Sequence, residues 1–174
     1  FDPAFQAVAP LIARHALDPE AFAFDGQTLD VDRARIPAAK QRQMLEVLRV
    51  FAKAAAQVPG VLRADVIDDL ARADTTKDAI ARRWLHMVRP GGEVGVAITL
   101  TPYSYFGRGN TATHGSPHDY DARVPVLFFG AGIRPGTLPA ARVVDMAPTL
   151  AALLGIRPLE RLDGHVLPQV LQPP

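Results

Sequence analysis

Apolar and polar positions alternate along this chain with two periods. Residues 37–57 carry Met44, Leu48, Phe51, Ala55 and Val58 at spacings of three and four. That stripe predicts an amphipathic helix with one face in a core. Pro37 suits its first turn, where a missing N–H costs nothing, and Pro59-Gly60 ends it. A second helix is predicted over 75–88, with Ile80, Trp84 and Met87 on one face and Thr75 and Asp78 at capping-box spacing. Residues 5–17 are apolar enough for a helix, with a break or kink expected at Pro10. A period of two appears in Phe22-Ala23-Phe24 and Thr28-Leu29-Asp30-Val31. These runs flank Asp25-Gly26 and read as a β-hairpin. A short strand over 60–66 and a short helix over 67–73 follow.

The second half reads differently. Residues 94–100 form an unbroken apolar run, as in a strand buried on both faces. Residues 124–129 predict another apolar strand, with Pro125 near its start or at an edge. Asp145 is expected to cap a helix that runs to Leu154 and ends at Gly155. Leu162-Asp163-Gly164 reads as a turn before a last short helix. Between the two strands, residues 101–123 are rich in Gly, Ser, Thr, Asn, Asp and Tyr and have no period. A loop longer than about 12–15 residues inside a compact domain is usually functional or disordered. Tyr103, Tyr105 and Phe106 argue against disorder.

Composition narrows the classes. The chain has 174 residues, no Cys and a formal net charge of +1. It reads as one domain or one piece of a larger one. No apolar run reaches the roughly 18 residues that span a bilayer, so no membrane partner is expected. A charge near zero argues against binding a nucleic-acid backbone. No signal peptide is visible, the chain opens on Phe1 and so looks cut at its start, and the absence of Cys leaves the redox compartment open.

Among the five histidines, His114 stands out because it lies in the polar loop directly before Gly115. It reads either as a loop histidine bonded locally or as one metal ligand whose fellow ligands lie outside this chain. Catalytic zinc needs three protein ligands and an open position. His114, His118 and Asp121 could form a mononuclear set, but no helical spacing organises them. Gly107-x-Gly109-x-x-Ala112 has dinucleotide-loop spacing without a following helix. Ser116 does not sit in a nucleophile elbow. The residues alone give one suspicious loop and no complete catalytic constellation.

That loop carries a resemblance. Thr113-His114-Gly115-Ser116-Pro117-His118-Asp119-Tyr120-Asp121, followed by Val124-Pro125-Val126-Leu127-Phe128-Phe129-Gly130, resembles the C-terminal signature of the alkaline phosphatase superfamily. It is most similar to the threonine-nucleophile branch near the nucleotide pyrophosphatase/phosphodiesterases. Asp145-Met146-Ala147-Pro148-Thr149-Leu150 and Leu162-Asp163-Gly164-His165 resemble that superfamily's later helix and turn. The resemblance spans residues 111–171.

It implies an α/β fold: the C-terminal part of an alkaline-phosphatase-like α/β/α sandwich with an α+β inserted subdomain of hairpin and two helices. The inserted part would cover 1–92 and the core part 93–174, with the metal-ligand loop at about 101–123. It implies that His114 binds one of two catalytic zinc ions. Thr113, Gly115, Ser116, Asp119 and Asp121 would support the loop. His118 stands where the family often has Tyr and receives no ligand role. The family's nucleophilic Thr and its D-x-x-x-H and D-H-G metal motifs are not found here, so no catalytic nucleophile is expected in this chain. The implied partner is the missing N-terminal portion of the same protein, and the implied substrate is a phosphate ester. The implied setting is the periplasm or outside the cell. The piece alone is expected to be inactive. A sulfatase of the same superfamily, or a non-catalytic α/β module that packs on a partner, are the alternatives.

Overall fold

The computed structural model describes residues 1–106 and 114–172. By contact density the chain forms two compact units, Phe1–Ala122 and Arg123–Pro174.

The first unit is built on a four-stranded antiparallel sheet. Helix α1 (Asp2–Arg14) leads through a 3-10 turn (Pro19–Ala21) into β1 (Phe22–Phe24) and β2 (Thr28–Val31). The hairpin predicted at Asp25-Gly26 is present. The Asp25 carboxylate accepts the N–H groups of Gln27 and Thr28 at 2.8 and 2.7 Å, and Gly26 takes φ +100°. Helix α2 (Gln41–Ala55) follows two more 3-10 turns, then come β3 (Val61–Val66), α3 (Ile67–Leu70), α4 (Ala79–Met87) and β4 (Val94–Leu100). The strand order is β1-β2-β4-β3. The last strand in sequence therefore lies inside the sheet, paired with β2 and β3.

Each face of β4 serves a different core, because side chains alternate across a strand. Val96 and Ile98 join Met44, Val47, Leu48 and Phe51 of α2 and Ala4 and Val8 of α1. Ala97 faces the other way and packs with Ile67, Leu70, Ala81 and Trp84. The expectation of burial on both faces holds, but it is met in an antiparallel sheet with helices on both sides. Gly95 marks where α2 comes closest: an added Cβ would lie 2.8 Å from the Val31 side chain and 2.9 Å from that of Leu48. Thr99 is fully buried, and its hydroxyl accepts the Trp84 indole N–H at 2.8 Å. Each group left unmet in this core would cost about 1–3 kcal/mol.

Three details differ from the sequence expectation. Helix α1 runs through Pro10 without ending. Proline forfeits one backbone hydrogen bond there, and the burial of Ala4 and Val8 on the α2 side offsets it. Helix α4 starts at Ala79 rather than Thr75, because the Asp78 carboxylate caps it, accepting from the Ala81 N–H at 2.9 Å. Arg63 of β3 holds the other oxygen of Asp78 at 2.7 Å. On α4, Ala81 and Trp84 are buried while Met87 is exposed.

The second unit has little regular structure. It holds a 3-10 turn (Val143–Asp145), helix α6 (Met146–Leu153) and a 3-10 turn (Pro168–Val170) where a last helix was expected. A further short helix, α5 (Asp119–Ala122), closes the first unit. Residues 124–129 are not a strand. Among the described residues no backbone hydrogen bond joins them to another segment. An apolar run becomes a strand only when a ladder partner satisfies its N–H and C=O groups, and none is present beside it. Leu127 is 85% and Phe129 102% exposed. Among the described residues of this unit only Asp145, Pro148, Thr149 and Val170 are buried.

Candidate functional site

The polar loop leaves the end of β4 and is pinned at once, where the Thr101 N–H donates to the Gly60 carbonyl at 2.8 Å. Residues 107–113 lie outside the described residues, and with them Thr113 and the Gly107-Gly109 spacing. The loop is described again from His114, whose side chain is exposed and has no hydrogen bond among the described residues. The next residue, Gly115, takes φ +97°, a conformation that favours glycine. Its carbonyl accepts the Gln27 side-chain N–H at 3.3 Å, which ties the loop to the β1–β2 turn.

Three further anchors fix the segment after His114. The Ser116 N–H donates to the Asp121 carboxylate at 2.6 Å, while the buried Ser116 hydroxyl has no partner. Arg83, projecting from α4, donates to the Pro117 carbonyl at 2.7 Å and forms an ion pair with Asp119. His118 hydrogen-bonds the Leu100 carbonyl through Nε2 at 2.7 Å. A carbonyl can only accept, so this nitrogen carries the proton. Gly115, Ser116, Asp119 and Asp121 thus all lie in one braced turn beside a free imidazole. Sequence patterning gave no sign of Arg83 or Gln27, which reach the loop from 34 and 88 positions away from their partners Pro117 and Gly115.

Aromatic rings cover the same turn. Tyr103 and Tyr120 stack with centroids 4.5 Å apart and planes 17° from parallel. Tyr120 also stacks on His118 at 5.3 Å and 19°. The Tyr103 N–H donates to the Tyr120 hydroxyl at 2.9 Å.

The donor set fits a shared metal site better than a self-contained one. No group of three His, Cys, Asp or Glu converges among the described residues. His118 and Asp121, which the mononuclear reading needs, each give one atom to a backbone partner, and they do not converge with His114 into a group of three. His114 has no hydrogen bond among the described residues, and an imidazole is a proper zinc donor.

In the second unit the two later motifs are knotted together. Asp145 accepts from the Arg142 N–H and the His165 N–H, each at 2.9 Å, and pairs with the Arg142 guanidinium at 3.2 Å. Its side chain does not cap α6, as the sequence suggested, but closes the preceding 3-10 turn. The His165 and Arg142 N–H groups, aided by the Arg142 charge, hold the Asp145 carboxyl below the usual carboxylate range. Thr149, fully buried, donates to the Asp145 carbonyl at 2.7 Å and accepts the Leu167 N–H at 3.0 Å. Gly164 must be glycine here, since a Cβ would fall 2.0 Å from the Val144 carbonyl oxygen.

No family model matches the chain. Alkaline phosphatase PhoK of Sphingomonas sp is 44% identical over 61 residues, which are 34% of this chain and 11% of PhoK. A protein of Myroides odoratus named a calcium-transporting ATPase is 33% identical over 118 residues, 64% of this chain and 21% of its own length. The crystal structure of wild-type alkaline phosphatase PafA superposes with a TM-score of 0.70 at 22% identity, covering 99% of this chain and 33% of PafA. The matches thus span about a tenth to a fifth of these curated relatives and a third of the solved one. The fold is alkaline-phosphatase-like over most of the chain.

Proposed function

We propose, on the premise that alkaline phosphatases are homologues which cover this chain as a partial segment of their length, that it is part of a metal-dependent phosphoric ester hydrolase. In this reading the enzyme works in the periplasm or outside the cell. The nucleophile and the other metal ligands come from the remaining part of the same polypeptide, which is the partner of this chain. His114 supplies one ligand to a two-zinc site. The observation that carries the reading is the homology to alkaline phosphatases together with a free, exposed His114 on a turn fixed by Arg83, Gln27 and Asp121.

Bound zinc would polarise the phosphoryl oxygens and stabilise the leaving oxygen. The role of this chain is positional. His114 offers an imidazole nitrogen. Gly115 brings backbone close at positive φ, and the Ser116–Asp121 bond keeps the turn from opening. A ligand held within about half an ångström before binding loses little entropy when the metal arrives. No helix among the described residues is long and apolar enough to cross a membrane, and the transporter name of the Myroides relative adds no activity here.

The test uses a longer polypeptide that carries this chain together with the remainder of a PafA-length protein. His114→Ala should lower zinc content by up to one ion per molecule and reduce 4-nitrophenyl phosphate hydrolysis at least a hundredfold. His118→Ala should leave zinc content unchanged. The 174-residue chain alone should show no turnover; robust zinc-dependent hydrolysis by it would overturn the proposal. A longer protein with neither zinc nor turnover would leave the non-catalytic module as the better reading.

A further inference from the structure

Tyr103 is the most exposed aromatic ring of the first unit, at 85%, and it adopts φ +61°. A bulky residue in the left-handed region is a genuine outlier. Residues held this way cluster at ligand clamps and active sites, where the surrounding structure over-determines them. Tyr103 follows Pro102 in a turn closed by the Ser104 N–H on the Thr101 carbonyl at 3.2 Å, and two further contacts hold it: its N–H donates to the Tyr120 hydroxyl, and its ring lies flat on the Tyr120 ring. Tyr120 in turn stacks on His118, which is fastened to the Leu100 carbonyl at the end of β4. Neither Tyr103 nor Tyr120 belongs to either hydrophobic core. The turn thus carries a bulky ring into solvent at a position where glycine is the usual occupant.

We propose that Tyr103, backed by Tyr120 and His118, is a stacking platform for a planar aromatic ring. Rings stack offset, and an aromatic face accepts any planar partner, whether a nucleobase or a substituted phenyl group. The platform rings are already fixed by hydrogen bonds at both ends, so a ligand ring would not have to order them. Two of the three aromatic rings lie four and six residues beyond His114. Chain length alone keeps His118 within about 14 Å of it. The ligand ring is then the base or aryl group of a phosphate ester. That last assignment rests on the hydrolase reading above; ring binding itself does not.

The test is a titration of the 174-residue chain, without metal or phosphate, followed by NMR at the Tyr103 amide and the Tyr120 ring. Three probes are compared: adenosine, 4-nitrophenol and cyclohexanol. At least one aromatic probe should shift both signals, and cyclohexanol should not. Tyr103→Ala should weaken that probe about tenfold, within the range found when a stacking residue is truncated. Tyr103→Phe, which keeps the ring, should bind as the parent does and guards against a misfolded alanine variant. Binding by adenosine alone identifies a nucleobase, and by 4-nitrophenol alone an aryl group. No shift with either, equal binding by Tyr103→Ala, or equal binding of cyclohexanol would overturn the platform. Because the assay contains no phosphate or zinc, ring binding alongside a longer protein that hydrolyses nothing would sink the hydrolase reading and keep the platform.

Discussion

Ala16 shows how a single residue can be locally wrong and still be kept. Helix α1 ends in a Schellman arrangement: the Leu17 N–H reaches the Ile12 carbonyl at 3.0 Å and the Ala16 N–H reaches Ala13 at 3.1 Å. The residue at the left-handed position is alanine, at φ +49°, where glycine is the usual occupant. Its Cβ carries a steric cost that glycine avoids. Ala16→Gly should therefore raise the unfolding free energy by about 0.5–1 kcal/mol. Urea denaturation followed by circular dichroism would register this, and an unchanged or lower midpoint would count against the strain argument. The sequence did not betray this position, because nothing in Arg14-His15-Ala16-Leu17 spells a C-cap. By contrast Asp25-Gly26 was legible, since Gly26 uses a backbone freedom that the residue type announces. His114 stood out by its place in the polar loop before Gly115, whereas nothing in the pattern marked Tyr103 as strained.

At the scale of elements, periodicity served where an element buries one face on its own sheet. The α2 stripe and the burial of β4 both follow from it. It failed for residues 124–129, because an apolar run states a need for neighbours and cannot supply them. It also misplaced the start of α4 by four residues, since Asp78 is recruited as cap by Arg63, fifteen positions away. The joint between the 3-10 turn and α6 is an element-scale device too, and it is sensitive to acid. The Asp145 carboxyl titrates below its unfolded value of about 3.9. A lowered native pKa stabilises the folded form above the unfolded pKa, and that contribution disappears as pH falls through the native one. The His165 amide signal should hold steady down to about pH 4 and move only below it. Asp145→Asn should abolish the transition and speed exchange of that amide at neutral pH. A midpoint at or above the ordinary aspartate value would contradict the hydrogen-bond network.

Across the whole molecule the two units differ in what holds them. The first has two cores on either side of a sheet. The second has four buried residues among those described, Asp145, Pro148, Thr149 and Val170, with Leu127, Phe129 and Leu159 in solvent. Patches of this kind mark interaction surfaces in soluble proteins, as the proposed packing against the remaining part of a longer polypeptide requires. Chymotrypsin should cut the isolated chain early after Phe129 in the second unit, while Phe51 and Trp84, sealed in the first, are spared. In the longer polypeptide the same bond should resist. Early cleavage after Phe51 or Trp84, or no protection of the bond after Phe129 in the longer protein, would refute this division.

Trp84 is the only tryptophan of the chain, and it sits 2% exposed against Thr99 in the first unit. Indole emission is therefore a private optical channel. It reports on the core in which Trp84 packs with Ile67, Leu70, Ala81 and Ala97. A melting curve read in that light would describe one unit while passing for a measurement of both, and a tryptophan placed in the second unit would be needed to make the other half visible.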